Sequence, residues 1–144
     1  ISLAKHSVRE RFCMPDPRYA DALLVMARKD FDALRGMVGN DLFADEIFGF
    51  HAQQAIEKSL KAWLSLLDIE FPFTHDISRL LALLEDVGAD GVTAYLHLVE
   101  FTMFAVQARY EAGLMDDEQV LDRPTVITQV QALLSAVESL ETKD

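Results

Sequence analysis

Apolar residues recur at steps of three and four through most of the chain, the spacing that lines one face of an α-helix. The first such stripe is Ala20, Leu23, Leu24, Ala27, Phe31, Leu34 and Val38. Asp16-Pro17 precedes it as an N-cap with proline in the first turn, and Gly39-Asn40 ends it. A second helix is predicted from about Asp41 to Leu67, interrupted by no proline and by glycine only at Gly49. The stretch Ile69–Thr74 breaks the pattern at Pro72, which cannot continue a helix. Thr74 is the expected N-cap of a third helix, with Asp76 in its first turn and Ile77, Leu80, Leu81 and Leu84 on one side, stopping near Gly88.

A fourth helix is expected from about Val92 to Tyr110. Its run LHLVEFTMFAV is apolar nearly all round, which predicts a central place beside the second helix, or burial in an oligomer interface. After an acidic loop from Glu111 to Leu121, a fifth helix begins near Asp122 with Pro124 in its first turn. It carries Val126, Val130, Leu133, Leu134 and Val137 on one side. No segment reads as a strand. The predicted fold is therefore all-α, an up-and-down helical bundle of about five helices. Residues 1–15 form an N-terminal arm and residues 16–144 the bundle.

Composition adds little to that picture; charge and cysteine content add more. The 144 residues suit one domain with its own core. The single Cys13 excludes an internal disulfide and a cysteine-based zinc site, and it fits a reducing, cytoplasmic compartment. No apolar run approaches the roughly 20 residues of a membrane span. The basic N-terminal residues have no apolar stretch behind them of the kind a secretion signal shows. Net charge is −11, and it is uneven: residues 1–40 balance to +2 and residues 41–144 to −13. That leaves only the N-terminal arm as a basic patch for nucleic acid. The acidity otherwise fits solubility or a basic partner.

The candidate chemistry lies on the second helix. At about 100° per residue, Phe48, Ala52, Ala55, Ile56, Leu60, Ala62, Trp63, Leu66 and Leu67 share a core-facing arc. The opposite arc holds Glu46, His51, Gln53, Gln54, Glu57, Lys58 and Lys61, with Ile47, Phe50 and Leu64 interleaved. Two readings fit this arc. It is a solvated face with Gln54–Lys58 and Glu57–Lys61 as ordinary i,i+4 neighbours, or a mixed stripe that meets a ligand phosphate or a partner helix. Arg109 on the apolar fourth helix needs a partner such as Asp76 or Glu100. His6, His51, His75 and His97 lack the helical pairing of a zinc site, so neither metal nor cofactor is expected. Phe71, Phe73, Phe101 and Phe104 are read as core or dimer contacts.

The stretch FGFHAQQAIEKSLKAWLSLLDIEFPFTHDISRLLALL resembles the signature of HEPN domains. These typically carry a histidine, a glutamine pair and a Glu-Lys step on one helix, then Thr-His-Asp at the start of the next. Here they are His51, Gln53, Gln54, Glu57 and Lys58, then Thr74, His75 and Asp76. The Arg-Tyr pair of many members is matched by Arg109-Tyr110, where Glu111 replaces a frequent proline. The resemblance spans roughly residues 17–140. It implies a dimeric helical bundle that works with a minimal nucleotidyltransferase, as a toxin–antitoxin or defence pair, and binds a nucleotide or an RNA end. The polar-site candidates are then His51, Gln54, Lys58, Lys61, His75, Asp76, Arg109 and Tyr110. Active members are metal-independent ribonucleases with an arginine followed, after four to six residues, by histidine. At those positions after Arg109 stand Leu114, Met115 and Asp116, so catalysis is left open. The alternatives are a ribonuclease toxin with a departed motif and a non-catalytic dimeric scaffold.

Overall fold

The computed structural model of the chain describes residues 11–13, 16–105 and 121–142. Four α-helices and one 3₁₀ helix make up most of that. They are α1 (Pro17–Met37), α2 (Asp45–Leu66), α3 (Ile77–Asp86), the 3₁₀ helix Val92–Ala105, and α4 (Arg123–Thr142). The all-α bundle expected from the periodicity is the fold observed.

The start of α1 follows its sequence signals. Asp16 is extended, its side chain accepts from the Arg18 amide at 2.8 Å, and Pro17 occupies the first turn. The start of α2 differs. Asn40 Oδ1 accepts from the Leu42 amide at 3.0 Å, a local turn that competes with helix, so α2 begins at Asp45 rather than Asp41. The cap of α3 also differs. Asp76 is the N-cap, with Oδ1 accepting from the Ser78 amide and hydroxyl at 2.9 and 2.7 Å, while Thr74 Oγ1 accepts from the Asp76 amide at 3.0 Å.

α2 is the axis of the bundle. It packs against α1, α3, α4 and the 3₁₀ helix, and its burial runs round its whole circumference. The expectation that the fourth helix shares this centre is corrected. The segment winds as 3₁₀ through Ala105, and the expected continuation to Tyr110 lies outside the described residues. Its core-facing positions Val92, Tyr95, Leu98, Phe101 and Phe104 recur every three residues, the period of a 3₁₀ helix, while Val99 is 40% exposed. The segment therefore lies on the side of α2 and α3. Gly49 on α2 admits it: a Cβ there would collide with the Phe104 ring.

A second difference is a small antiparallel ribbon. Phe12–Cys13 pairs with Phe71–Pro72, in the register Phe12 with Pro72 and Cys13 with Phe71. Two residues per strand are too few to show an alternating pattern. Phe71 is fully buried and Tyr19 lies parallel to it at 6.5 Å, so the ribbon is pinned to α1.

Candidate functional site

The polar arc of α2 is largely interior. Gln53 is fully buried, and Glu57 and Lys61 are 4% and 8% exposed. This corrects the solvated-face reading for Gln53, Glu57 and Lys61, which the neighbouring elements cover, while His51, Gln54 and Lys58 on the adjoining stripe stay half-buried. Buried charge is expensive unless paired and hydrogen-bonded, and the pairing takes one form twice.

In the first cluster the carboxylate belongs to Asp30 of α1. Oδ1 lies 3.1 Å from His51 Nδ1, and Oδ2 accepts from Lys58 Nζ at 2.6 Å. In the second it belongs to Glu57 of α2. Oε1 lies 2.9 Å from His75 Nδ1, and Oε2 accepts from Lys61 Nζ at 2.8 Å. Gln53 Nε2 donates to Glu57 Oε1 at 2.8 Å and to the His75 carbonyl at 3.2 Å, and Gln54 Nε2 donates to Gln53 Oε1 at 2.7 Å. Gln54 stands one turn from both His51 and Lys58, so the polar chain runs from one cluster to the margin of the other.

Each carboxylate thus bridges one imidazole and one ammonium. An ionised carboxylate only accepts, so each Nδ1 carries the proton toward it. That leaves Nε2 as the ring nitrogen not engaged by the carboxylate, an acceptor when the ring is neutral and a donor when it is protonated. His51 is 33% exposed at its side chain and His75 61%. Burial pushes the Glu57 carboxyl up. The Lys61 hydrogen bond and charge outweigh it, with help from Gln53 and His75, and hold it below the ordinary glutamate range. Burial raises the neighbouring Tyr19 phenol, and Cys13 and the Glu57 charge raise it further.

The structure therefore brings together His51, Gln54, Lys58, Lys61 and His75 of the sequence candidates. Asp76 is set apart as the cap of α3, and Arg109 and Tyr110, with the proposed Arg109 ion pair, lie outside the described residues. Glu57–Lys61 is the i,i+4 pair expected, whereas Lys58 reaches across to α1 and Gln54 turns to Gln53. Sequence reasoning missed Asp30. Its signal was present: on the helical wheel of α1 it falls between Leu34 and Met37, inside the buried stripe. Phe71, Phe101 and Phe104 are core, but Phe73 is 60% exposed. Among the described residues, no group of three His, Cys, Asp or Glu is arranged to hold a metal ion, and no helix is long and apolar enough to cross a membrane.

Comparison with known proteins places both clusters inside one match. The family model described as "HEPN domain" matches residues 20–140. No curated protein and no solved structure matches the chain.

Proposed function

Because this chain belongs to the HEPN domain family, a nucleotide- and RNA-related class of helical module, we propose that it binds a nucleotide or the end of an RNA chain at its paired histidine–carboxylate–lysine clusters. It does so with a minimal nucleotidyltransferase as partner, in a toxin–antitoxin or defence-type pair. Family membership supports the partner; the clusters support the binding.

The observation that carries the reading is His75. Its ring is mostly exposed, yet its Nδ1 and its carbonyl are both tied to the buried Glu57–Gln53 pair. A buried ion pair adds little stability over an apolar packing of the same shape. Holding an imidazole at the surface in one orientation is what this one accomplishes. Nε2, the ring nitrogen not held by the carboxylate, is then available on a mostly exposed ring as a preorganised contact for a phosphate or ribose oxygen, and His51 repeats the arrangement beside α1. Isothermal titration with AMP, ATP and a 5′-phosphorylated single-stranded RNA tests the proposal. Saturable binding that weakens about tenfold or more in His75→Ala is expected, the scale of losing one charge-assisted hydrogen bond. A wild-type protein that binds none of the three at millimolar concentration overturns it.

One observation favours a second reading, a metal-independent ribonuclease. An imidazole whose Nδ1 is held by a carboxylate is the arrangement that orients a general base. Against it stands the absence of histidine at the spacing from Arg109 that active members use.

A further inference from the structure

We infer that Phe73 is a stacking platform for one nucleobase, the base-binding element of the site whose phosphate contact is His75. The inference rests on the nucleotide-binding reading and adds to it a residue and a ligand part.

The segment from Phe71 to Asp76 is held along its length. Phe71 and Pro72 are buried and pair with β-strand residues Phe12 and Cys13. The Phe73 amide donates to the Arg11 carbonyl at 2.9 Å. Thr74 Oγ1 accepts from the Asp76 amide, the His75 carbonyl accepts from Gln53, and His75 Nδ1 meets Glu57. On a backbone so constrained, two rings nevertheless stand in solvent: Phe73 at 60% overall exposure and His75 at 61% of its side chain. A phenyl ring kept exposed on an ordered segment forgoes its burial energy. A planar apolar surface two residues along the chain from an oriented imidazole suits a ligand that is itself a flat ring joined to an anion. The two Cα atoms are two residues apart, within about 7 Å of each other, which matches base and phosphate on either side of one ribose.

Charge narrows the ligand. Residues 41–144 balance to −13, and both lysines of the clusters are already paired with carboxylates. A long polyanion is repelled by such a field. A base carries no charge, and stacking on an aromatic ring is insensitive to the field and tolerant of sequence. The site therefore fits a mononucleotide or a single terminal nucleotide rather than an extended strand.

The test uses the full chain with AMP, UMP and inorganic pyrophosphate as probes. The variants are Phe73→Ala and Phe73→Trp, with far-UV circular dichroism and thermal melts as folding controls. Phe73→Ala is expected to weaken AMP roughly five- to a hundred-fold, the range for losing one base stack, and to leave pyrophosphate unchanged. Phe73→Trp is expected to restore AMP binding and to show quenching of the new exposed indole when AMP is added. Equal AMP affinity in wild type and Phe73→Ala overturns the platform while leaving the nucleotide site standing. Pyrophosphate binding lost together with AMP in a folded Phe73→Ala overturns it as well, because the ring then only supports the loop. Conversion of a dimer to a monomer by Phe73→Ala, seen by sedimentation, also overturns it by making the ring a subunit contact. A wild type that binds neither AMP nor pyrophosphate removes the nucleotide-binding reading and the platform with it.

Discussion

Glu57 and Glu141 report opposite electrostatic situations, and their pH signatures separate them. Glu57 has its carboxyl held below the ordinary range in the fold. Its contribution is present above the unfolded value and is lost as pH falls through the folded one. Glu141 on α4 is raised by burial, by Asp21 on α1, which bonds to it, and by Glu138. Its contribution is present below the unfolded value and disappears as pH rises through the folded one. Arg28 offsets part of the repulsion by pairing with Glu138. Glu141→Gln is therefore expected to stabilise the protein at pH 7 by no more than ~0.5 kcal/mol after solvent screening, with the gain vanishing near pH 4. Chemical denaturation at the two pH values checks this, and a gain that grows on acidification contradicts it. Glu57→Ala is a harsher change, since it strands a buried Lys61. A loss of about 3–5 kcal/mol is expected, and a loss below ~1 kcal/mol would mean that the pair is solvated.

Between elements, two contacts decide how the helices meet. Arg123, at the first position of α4, donates from Nε to Asp45 Oδ1 at 2.9 Å and from Nη1 to the Met37 and Asn40 carbonyls at 2.9 and 3.3 Å. Its Nη2 bonds the Phe43 carbonyl, and its guanidinium lies over the Phe48 ring at 5.1 Å. One side chain thus ties α4 to the α1–α2 connection, bonding the Phe43 carbonyl and adding a second donor to the Met37 and Asn40 carbonyls, which already accept from the Asn40 and Phe43 amides. Arg123→Lys keeps the charge but cannot reproduce the planar fork. A loss of roughly 1–3 kcal/mol is expected from hydrogen bonds left unmade, measured by urea unfolding; an unchanged midpoint would contradict it. The second contact is Gly49 against Phe104. Gly49→Ala adds one methyl where the ring already sits, and an overpacking cost of about 1–3 kcal/mol is expected. A melting temperature equal to or above wild type would show that the 3₁₀ helix shifts without strain.

At the scale of the whole molecule, charge and symmetry set the expectations. Exposed Val25 and Met26 on α1 and Ile47 on α2 remain as apolar surface among the described residues. A two-fold homodimer is the proposed state, the commonest closed assembly. Light scattering at tens of micromolar is expected to give twice 16.2 kDa, and a monomer mass counts against it. For RNA cleavage, the chain is expected to be inactive or far weaker than a family member with the intact motif. Losing a general acid or base lowers a rate about a hundred- to ten-thousand-fold, and the acidic field disfavours a polyanion. Cleavage of tRNA that survives chelator and disappears in Arg109→Ala would restore the enzyme reading.

The helices, their approximate ends and the core stripes of α1, α3 and α4 were legible in the sequence. Periodicity and capping are local: Asp16 caps the helix by accepting from the amide two residues along, and Val126, Val130 and Val137 share a face whatever packs on them. The family was legible too, because its motif lies on adjacent turns of one helix and the start of the next. The three-residue stripe from Val92 to Phe104 was also on the page, but a run apolar on all sides conceals its period. What only the tertiary structure decided is which polar residues are buried and what they touch. A helical wheel gives the direction of Glu57 or Lys61 and says nothing of what stands opposite. The pairing of His51 and Lys58 through Asp30 joins residues 21 and 28 positions apart, and the union of His75 with Glu57 needs α3 to fold back on α2. Such contacts arise from packing, where the requirement to satisfy every buried charge selects the partner.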